Sequence, residues 1–184
     1  TQLAAYIANL GYAATANHSR HYDLLLVPAA LDAGLGEMGR FGYLITKELG
    51  PRVRIFAVTT DLPLAVDRPI DLGVDQFCRV CKKCADTCPS KSIPKGEKVL
   101  HKGVRKWKLD AEGCFDYWGK AGTDCSVCMG ICPFSRPDRP LHRAVRWTLE
   151  RSAPARRILP HLDNWVYGRK WKPRQPPEWV DWRQ

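Results

Sequence analysis

The chain contains no stretch of about 18 consecutive apolar residues and no basic leader followed by an apolar run and small residues, so this portion carries neither a spanning helix nor a secretory signal. Acidic residues are scarce: 19 Asp and Glu face 29 Lys and Arg, a formal charge of +10. The imbalance is one-sided, because residues 1–88 hold 9 basic and 9 acidic residues whereas residues 89–184 hold 20 and 10. Such a half suits an acidic electron donor, an anionic membrane face or RNA, and equally a solvated basic shell. The chain has no cysteine outside two short runs, and none of its spacing looks like scattered disulfide pairing. It also has no initial Met. Thr1 leads straight into an expected helix, so we expect a fragment or processed form of a longer product.

Hydrophobic residues make up 45% of 184 positions, enough for one compact domain with a small appended module. The periodicity predicts a helix over Gln2 to Leu10 with Leu3, Ile7 and Leu10 on one face and Gly11 as its stop. A polar connector, Thr15 to Asp23, should lead to a short buried strand, Leu24 to Val27, ended by Pro28. After Pro28 a helix should begin and dissolve at Gly34, Gly36 and Gly39. Arg52 to Thr60 alternates and is β-branched, which predicts a strand with Val53, Ile55 and Ala57 on one side and Arg54 and Phe56 on the other. Residues 62–77 read as a linker, Cys78 to Pro133 as short helical turns, and Leu141 to Leu149 as a helix. The aromatic, proline-rich end, with Trp165, Tyr167, Trp171, Trp179 and Trp182, should wrap over the surface. The division expected is therefore 1–75, 76–136 and 137–184 in an α+β chain.

The cysteine spacing carries the chemistry. Cys78, Cys81, Cys84 and Cys88 before Pro89 spell C-x2-C-x2-C-x3-C-P, and Cys114, Cys125, Cys128 and Cys132 before Pro133 spell C-x10-C-x2-C-x3-C-P. A [4Fe–4S] cubane needs four soft thiolates at tetrahedral corners, and a C-x2-C-x2-C loop wraps three of them round one cluster. In two-cluster proteins the fourth Cys of such a run serves the other cluster. The expectation is two [4Fe–4S] clusters, one on Cys78, Cys81, Cys84 and Cys132, the other on Cys88, Cys114, Cys125 and Cys128. Zinc on paired C-x2-C units and disulfides are the competing readings. Gly34-Leu35-Gly36-Glu37-Met38-Gly39 formally matches G-x-G-x-x-G, but no strand precedes it directly, so a dinucleotide is disfavoured. The same glycines suit a backbone passing close to a large flat ligand.

DAGLGEMGRFGYLITKELGPRVRIFAVTTDLPL (Asp32 to Leu64), the two cysteine runs and LDNWVYGRKWKPRQPPEWVDW (Leu162 to Trp182) together resemble the C-terminal half of the catalytic subunit of corrinoid reductive dehalogenases. The resemblance implies part of a nitroreductase-like cobalamin-binding α/β core over residues 1–75, a ferredoxin-like insert over 76–136 and a wrapping tail over 137–184. It also implies cobalamin beside Gly34, Gly36, Gly39 and Arg40, and an organohalide substrate. Cobalt in that family takes no protein ligand, in keeping with the absence of D-x-H-x-x-G around His18, His21, His101, His142 or His161. The family's proton-donating Tyr lies upstream of the matched stretch, which leaves Arg52 and Arg54 as candidates for its basic catalytic partner. A ferredoxin, flavodoxin or quinol-linked protein as electron donor, a small membrane-anchor subunit and a location on the periplasmic face of the cytoplasmic membrane are further implications, with a cytoplasmic location as the alternative. No nucleic-acid partner is expected. Epoxyqueuosine reductase, a tRNA-modifying enzyme with the same cofactors, and a non-catalytic electron carrier are the rival readings.

Overall fold

The computed structural model describes residues 1–18 and 21–170. In chain order they form α1 (Gln2–Asn9), β1 (Ala14–Asn17), α2 (Leu26–Asp32), β2 (Glu37–Met38), β3 (Leu44–Ile45), β4 (Ala57–Thr60), α3 (Val74–Cys81), α4 (Lys83–Thr87), β5 (Val99–His101), β6 (Val104–Lys106), α5 (Ala111–Ala121), α6 (Val127–Ile131), a 3-10 turn (Pro133–Ser135), α7 (Pro140–Arg151) and α8 (Ala153–Tyr167). The strands pair antiparallel two by two, β1 with β4, β2 with β3 and β5 with β6. Helix and strand mix as expected of an α+β chain, but several boundaries move.

Helix α1 buries Ala4 and Ile7, while Leu3 and Leu10 stay exposed, so its inner face is narrower than Leu3, Ile7 and Leu10 together. The expected connector at Thr15 opens instead as β1, whose Asn17 sits opposite Ala57 of β4. Of the strand expected over Arg52 to Thr60, only Ala57–Thr60 pairs. Asn17 is buried, and its side-chain oxygen accepts the Asp23 amide at 2.9 Å, which folds the following loop back on the strand. The apolar run Leu24 to Val27 is not a strand. Leu26 and Val27 begin α2, and Pro28 falls in its first turn, where a missing N–H leaves no hydrogen bond unmade.

The cysteine region holds more regular structure than short turns. Lys102 and Gly103, both at positive φ, close the β5–β6 hairpin. Asp110 caps α5 by accepting the Gly113 amide at 3.1 Å, and Gly122 ends that helix in the left-handed region. Beyond α7 the chain makes a second long helix, α8, which takes in Trp165 and Tyr167, instead of an irregular wrap. Trp171, Trp179 and Trp182 lie outside the described residues. Arg156 of α8 is buried and donates to the carbonyls of Leu149 and Glu150 at 2.7 and 2.8 Å, satisfying the end of α7.

One buried cluster joins all three expected segments: Phe41 and Ile45 from the first, Phe77, Trp107 and Ile131 from the second, and Leu149 from the third. Glu37 fastens β2 to the start of α3, the helix that leads into the cysteine runs. Its carboxylate accepts the amides of Leu72 and Val74 at 2.7 and 2.9 Å, at the head of α3. Burial raises the Glu37 carboxyl above its usual range, outweighing those two donors. A raised folded value means that the proton stabilises the fold: the gain is complete below the ordinary carboxylate range and is lost as pH rises through the raised value. Glu37→Ala leaves two amides unsatisfied and should cost about 1–3 kcal/mol. In denaturant titrations its deficit against the unsubstituted chain should widen as pH falls through that window; a deficit that narrows there contradicts the assignment.

Candidate metal centres

The two cysteine runs fold into matching pieces. Cys78 and Cys81 lie in the last turns of α3; Lys82 then adopts φ 54°, reversing the chain so that Cys84 begins α4, and Cys88 follows in an extended conformation that Pro89 enforces. In the second run Cys125 precedes Ser126 at φ 48°, Cys128 sits in α6, and Cys132 ends it extended before Pro133. Cys114 comes from α5. Helices α4 and α6, five residues each, pack on one another, and this contact brings the ends of the runs side by side.

Two cavities result. One, of about 280 Å³, is lined by Cys78, Cys81, Cys84 and Cys132 together with Phe41, Phe77, Lys83 and Phe134. The other, of about 500 Å³, is lined by Cys88, Cys114, Cys125 and Cys128 together with Phe41, Tyr43, Leu109 and Trp118. Each therefore gathers three cysteines of one run and the last cysteine of the other. All eight thiols are free. Among the described residues no three His, Cys, Asp or Glu side chains close up as they would round a single metal ion. Each quartet instead offers the four soft donors that a polynuclear cluster takes.

Electrostatics says what such a filling must supply. Burial pushes the Cys78 thiol up to about 12 and Cys128 up to about 11, and it raises Cys84 and Cys132 well above the ordinary thiol range too, with neighbouring thiols adding to the rise. Four thiolates in so dry a place require a cationic core between them. Backbone amides already favour the thiolate form: those of Lys83, Met129 and Phe134 reach Cys81, Cys128 and Cys132. The donor set, its burial and its amide support all fit an iron–sulfur cubane in each cavity.

The other expected site residues are placed differently. An added Cβ on Gly36 would stand 2.2 Å from the Ile45 carbonyl oxygen, and one on Gly34, at φ +68°, would stand 2.3 Å from that of Arg68. At Gly39 it would meet the Ile45 side chain at 2.8 Å. What presses on these glycines is the chain itself, Ile45 of β3 on Gly36 and Gly39 and the Arg68 backbone on Gly34. Arg40 does not face a ligand groove: fully buried, it donates from Nε to the Cys78 carbonyl at 3.1 Å and from Nη1 to those of Pro94 and Gly96 at 2.8 and 2.9 Å, with its guanidinium 4.5 Å from the Trp107 ring centre. Arg52 and Arg54 are exposed in the irregular stretch before β4 and line neither cysteine cavity.

A third space, not anticipated by any motif, is an open groove bounded by Tyr22, Leu24 to Pro28, Met38 and Gly42 on one side and by His101, Lys106, Trp107, Lys108 and Leu109 on the other. Leu109 lines both this groove and the second cysteine cavity, and Phe41 lines both cysteine cavities. The second cysteine cavity thus shares one lining side chain with each of the other two spaces.

A profile described as "4Fe-4S dicluster domain" matches residues 77–135. The chain is 41% identical over 131 residues to the tetrachloroethene reductive dehalogenase of Sulfurospirillum multivorans, an alignment covering 67% of this chain and 26% of that protein. It superposes with a TM-score of 0.86 and 36% identity on a catabolic reductive dehalogenase solved with 3-bromo-4-hydroxybenzoic acid, over 91% of this chain and 24% of the other. A second solved reductive dehalogenase, reported with a mechanism for B12-dependent dehalogenation, gives a TM-score of 0.87 at 37% identity over 91% and 25% of the two chains. An epoxyqueuosine reductase of Lactococcus garvieae is more distant, 29% identical over 61% of this chain and 32% of its own. The chain thus spans about a quarter of the length of the reductive dehalogenases it matches.

Two substitutions test the packing of these centres. Gly36→Ala should destabilise the chain by about 1–3 kcal/mol through backbone displacement. Arg40→Met should cost about 1–3 kcal/mol for each carbonyl it strands, and so more than Gly36→Ala; equal or smaller losses in anaerobic denaturation would show that the Arg40 contacts do not hold the module.

Proposed function

By sequence and fold the chain belongs to the reductive dehalogenase family, and from that premise we propose that it holds two [4Fe–4S] clusters and one wall of a cobalamin site in an enzyme that removes halide from an organohalide. The supporting observation is the division of eight cysteines into two cavities, each completed by the other run's last cysteine. Cys78, Cys81, Cys84 and Cys132 hold the first cluster in this reading, and Cys88, Cys114, Cys125 and Cys128 the second. The groove beside Leu109 is wide and largely apolar, with Lys106 and Lys108 at its margin, which suits a flat macrocycle carrying polar substituents. The region before Cys78 then forms part of a nitroreductase-like core.

When bound, the clusters supply one-electron storage and the corrinoid supplies the metal centre that acts on the carbon–halogen bond. The chain's own residues orient and insulate: Phe41 and Leu109 keep the three spaces apart while leaving them adjacent, and the apolar lining keeps water from the reducing centre. Arg52 and Arg54, exposed here, remain the proposed basic partners of a proton donor supplied from outside this stretch. The same proposal includes an organohalide substrate, a ferredoxin, flavodoxin or quinol-linked donor, a small anchor subunit and a location on the periplasmic face of the membrane. Among the described residues no helix is long and apolar enough to cross a membrane.

Anaerobic reconstitution should give about eight iron and eight sulfide per chain. Cys132→Ser should alter the same cluster signal in electron paramagnetic resonance as Cys81→Ser, and Cys88→Ser the same signal as Cys125→Ser. Grouping by run instead of by cavity overturns the ligand sets. The gene product that contains this chain, loaded with corrinoid and reductant, should release halide and lose that activity with Cys88→Ser; turnover of an epoxyqueuosine-bearing tRNA without halide release would favour the rival enzyme.

A further inference from the structure

The first cysteine cavity is flanked by two cations that are fully buried, Arg40 and Lys83, each with 0% exposure. A buried charge is costly unless something opposite in sign compensates it. Arg40 meets carbonyls and an aromatic ring but no carboxylate among the described residues, and its Nη2 has no hydrogen-bond partner. Lys83 lies between Cys81 and Cys84 in sequence and lines the cavity itself. Its ammonium is ion-paired with Asp163 of α8 and also donates to the Asp163 carbonyl at 3.2 Å. Asp163 in turn has Arg136 at 3.7 Å, and the Arg136 guanidinium lies 4.0 Å from the Tyr167 ring centre. Around this quartet two fully buried cations, Arg40 and Lys83, and the partly buried Arg136 stand with two carboxylates, Asp163 against Lys83 and the partly exposed Asp75, which acts on Cys78. The second quartet has a different border: among the described residues no Lys or Arg lines its cavity, while Asp110 acts on Cys114 and Asp124 on Tyr43 beside it.

We propose that Lys83, gauged by Asp163, is a positioning residue that sets the reduction potential of the first cluster by placing a buried positive charge against its thiolates. The inference rests on the ligand sets given above. A cubane with four thiolates is anionic when oxidised and gains a further negative charge on accepting an electron, so a fixed cation close by favours the reduced form. Burial works the other way, because a dry site disfavours the more highly charged state. All four cysteines of the first quartet are buried, whereas those of the second are partly exposed. Lys83 and Arg40 are thus where the chain offsets the penalty that burial imposes on the first cluster. The opposed signs of Lys83 and Asp163 are visible at Cys81, whose thiolate Lys83 favours and Asp163 disfavours.

The test is a redox titration of the reconstituted full chain, followed by electron paramagnetic resonance, with iron and sulfide measured on every sample. Lys83→Met should make reduction of one cluster about tenfold less favourable, a shift of about 59 mV downward for a one-electron couple. Asp163→Asn, which leaves Lys83 charged and uncompensated, should shift the same couple upward by a comparable factor. The other couple should hold its position in both. A role confined to anchoring α8 predicts shifts of one sign, or none, and either result overturns the proposal. Should Lys83→Met fail to load iron, Asp163→Asn decides alone: an upward shift upholds the assignment and a downward or absent shift ends it. Low iron in the unsubstituted chain would instead remove the cluster reading on which the assignment stands.

Discussion

Two thiols at the ends of their runs, Cys88 and Cys132, each cross to the cavity built by the other run, and most of the fold can be understood as what that exchange requires. For each to reach across, α4 and α6 must lie side by side, and the chain must stop being helical immediately after each thiol. Proline at positions 89 and 133 does the second, because the residue before a proline is driven out of the helical region. Close packing of the short helices does the first. Neither helix has enough length to be stable alone, so both depend on the contacts of the cavities they border. Metal binding and folding of residues 78–132 are coupled in such an arrangement.

The interior chosen for these thiols brings an electrostatic problem that the surrounding segments solve. Buried cations are placed where anionic clusters belong, and each is tied by hydrogen bonds to backbone from a distant part of the sequence. Arg40, from the β2–β3 turn, reaches the carbonyls of Cys78, Pro94 and Gly96. Lys83 reaches α8, and Arg156 reaches back from α8 to the end of α7. These long-range links make the segments before and after the cysteine runs part of one packed body. The three segments expected from the sequence are contiguous stretches of chain that share one core.

What could be read from the sequence followed from constraints that act locally. The C-x2-C-x2-C-x3-C-P spacing, the helix at α1 and the helix at α7 depend on chemistry or periodicity within a few residues. Elsewhere, distant partners decided. Leu24 to Val27 is apolar enough for a strand, but Leu26 and Val27 are taken into α2, which packs on β2 and β3 without pairing with them, and Pro28 is tolerated in its first turn. Thr15 looked like connector because its strand partner, Thr59, lies 44 positions on. The proline-rich, aromatic composition of the tail argued against regular structure there, yet α8 runs as far as Tyr167 and through Pro160, which is buried. Arg40 follows a glycine-rich turn as a ligand-binding residue would, and only the fold reveals that its partners are carbonyls up to 56 positions away. The hairpin and α5 carry local signals of their own, Lys102-Gly103 at the turn and Asp110 at the helix cap.

The order of the three spaces constrains how reducing equivalents can cross this chain. The first quartet lies against α8 through Lys83 and Asp163, the second lies beyond Phe41, and the groove lies beyond Leu109. Phe41 borders both cysteine cavities and Leu109 borders both the second cavity and the groove, so an apolar side chain stands at each junction. The more exposed quartet is the one beside the groove, and the buried quartet with its cations is the one farther away. An arrangement in which the sheltered centre bears the fixed positive charges lets burial and charge pull its potential in opposite directions, keeping it within range of its more solvated neighbour. Without Arg40 and Lys83 the same burial would drive the two centres apart in potential, and adjacency alone would not make the first a useful source of electrons for the second.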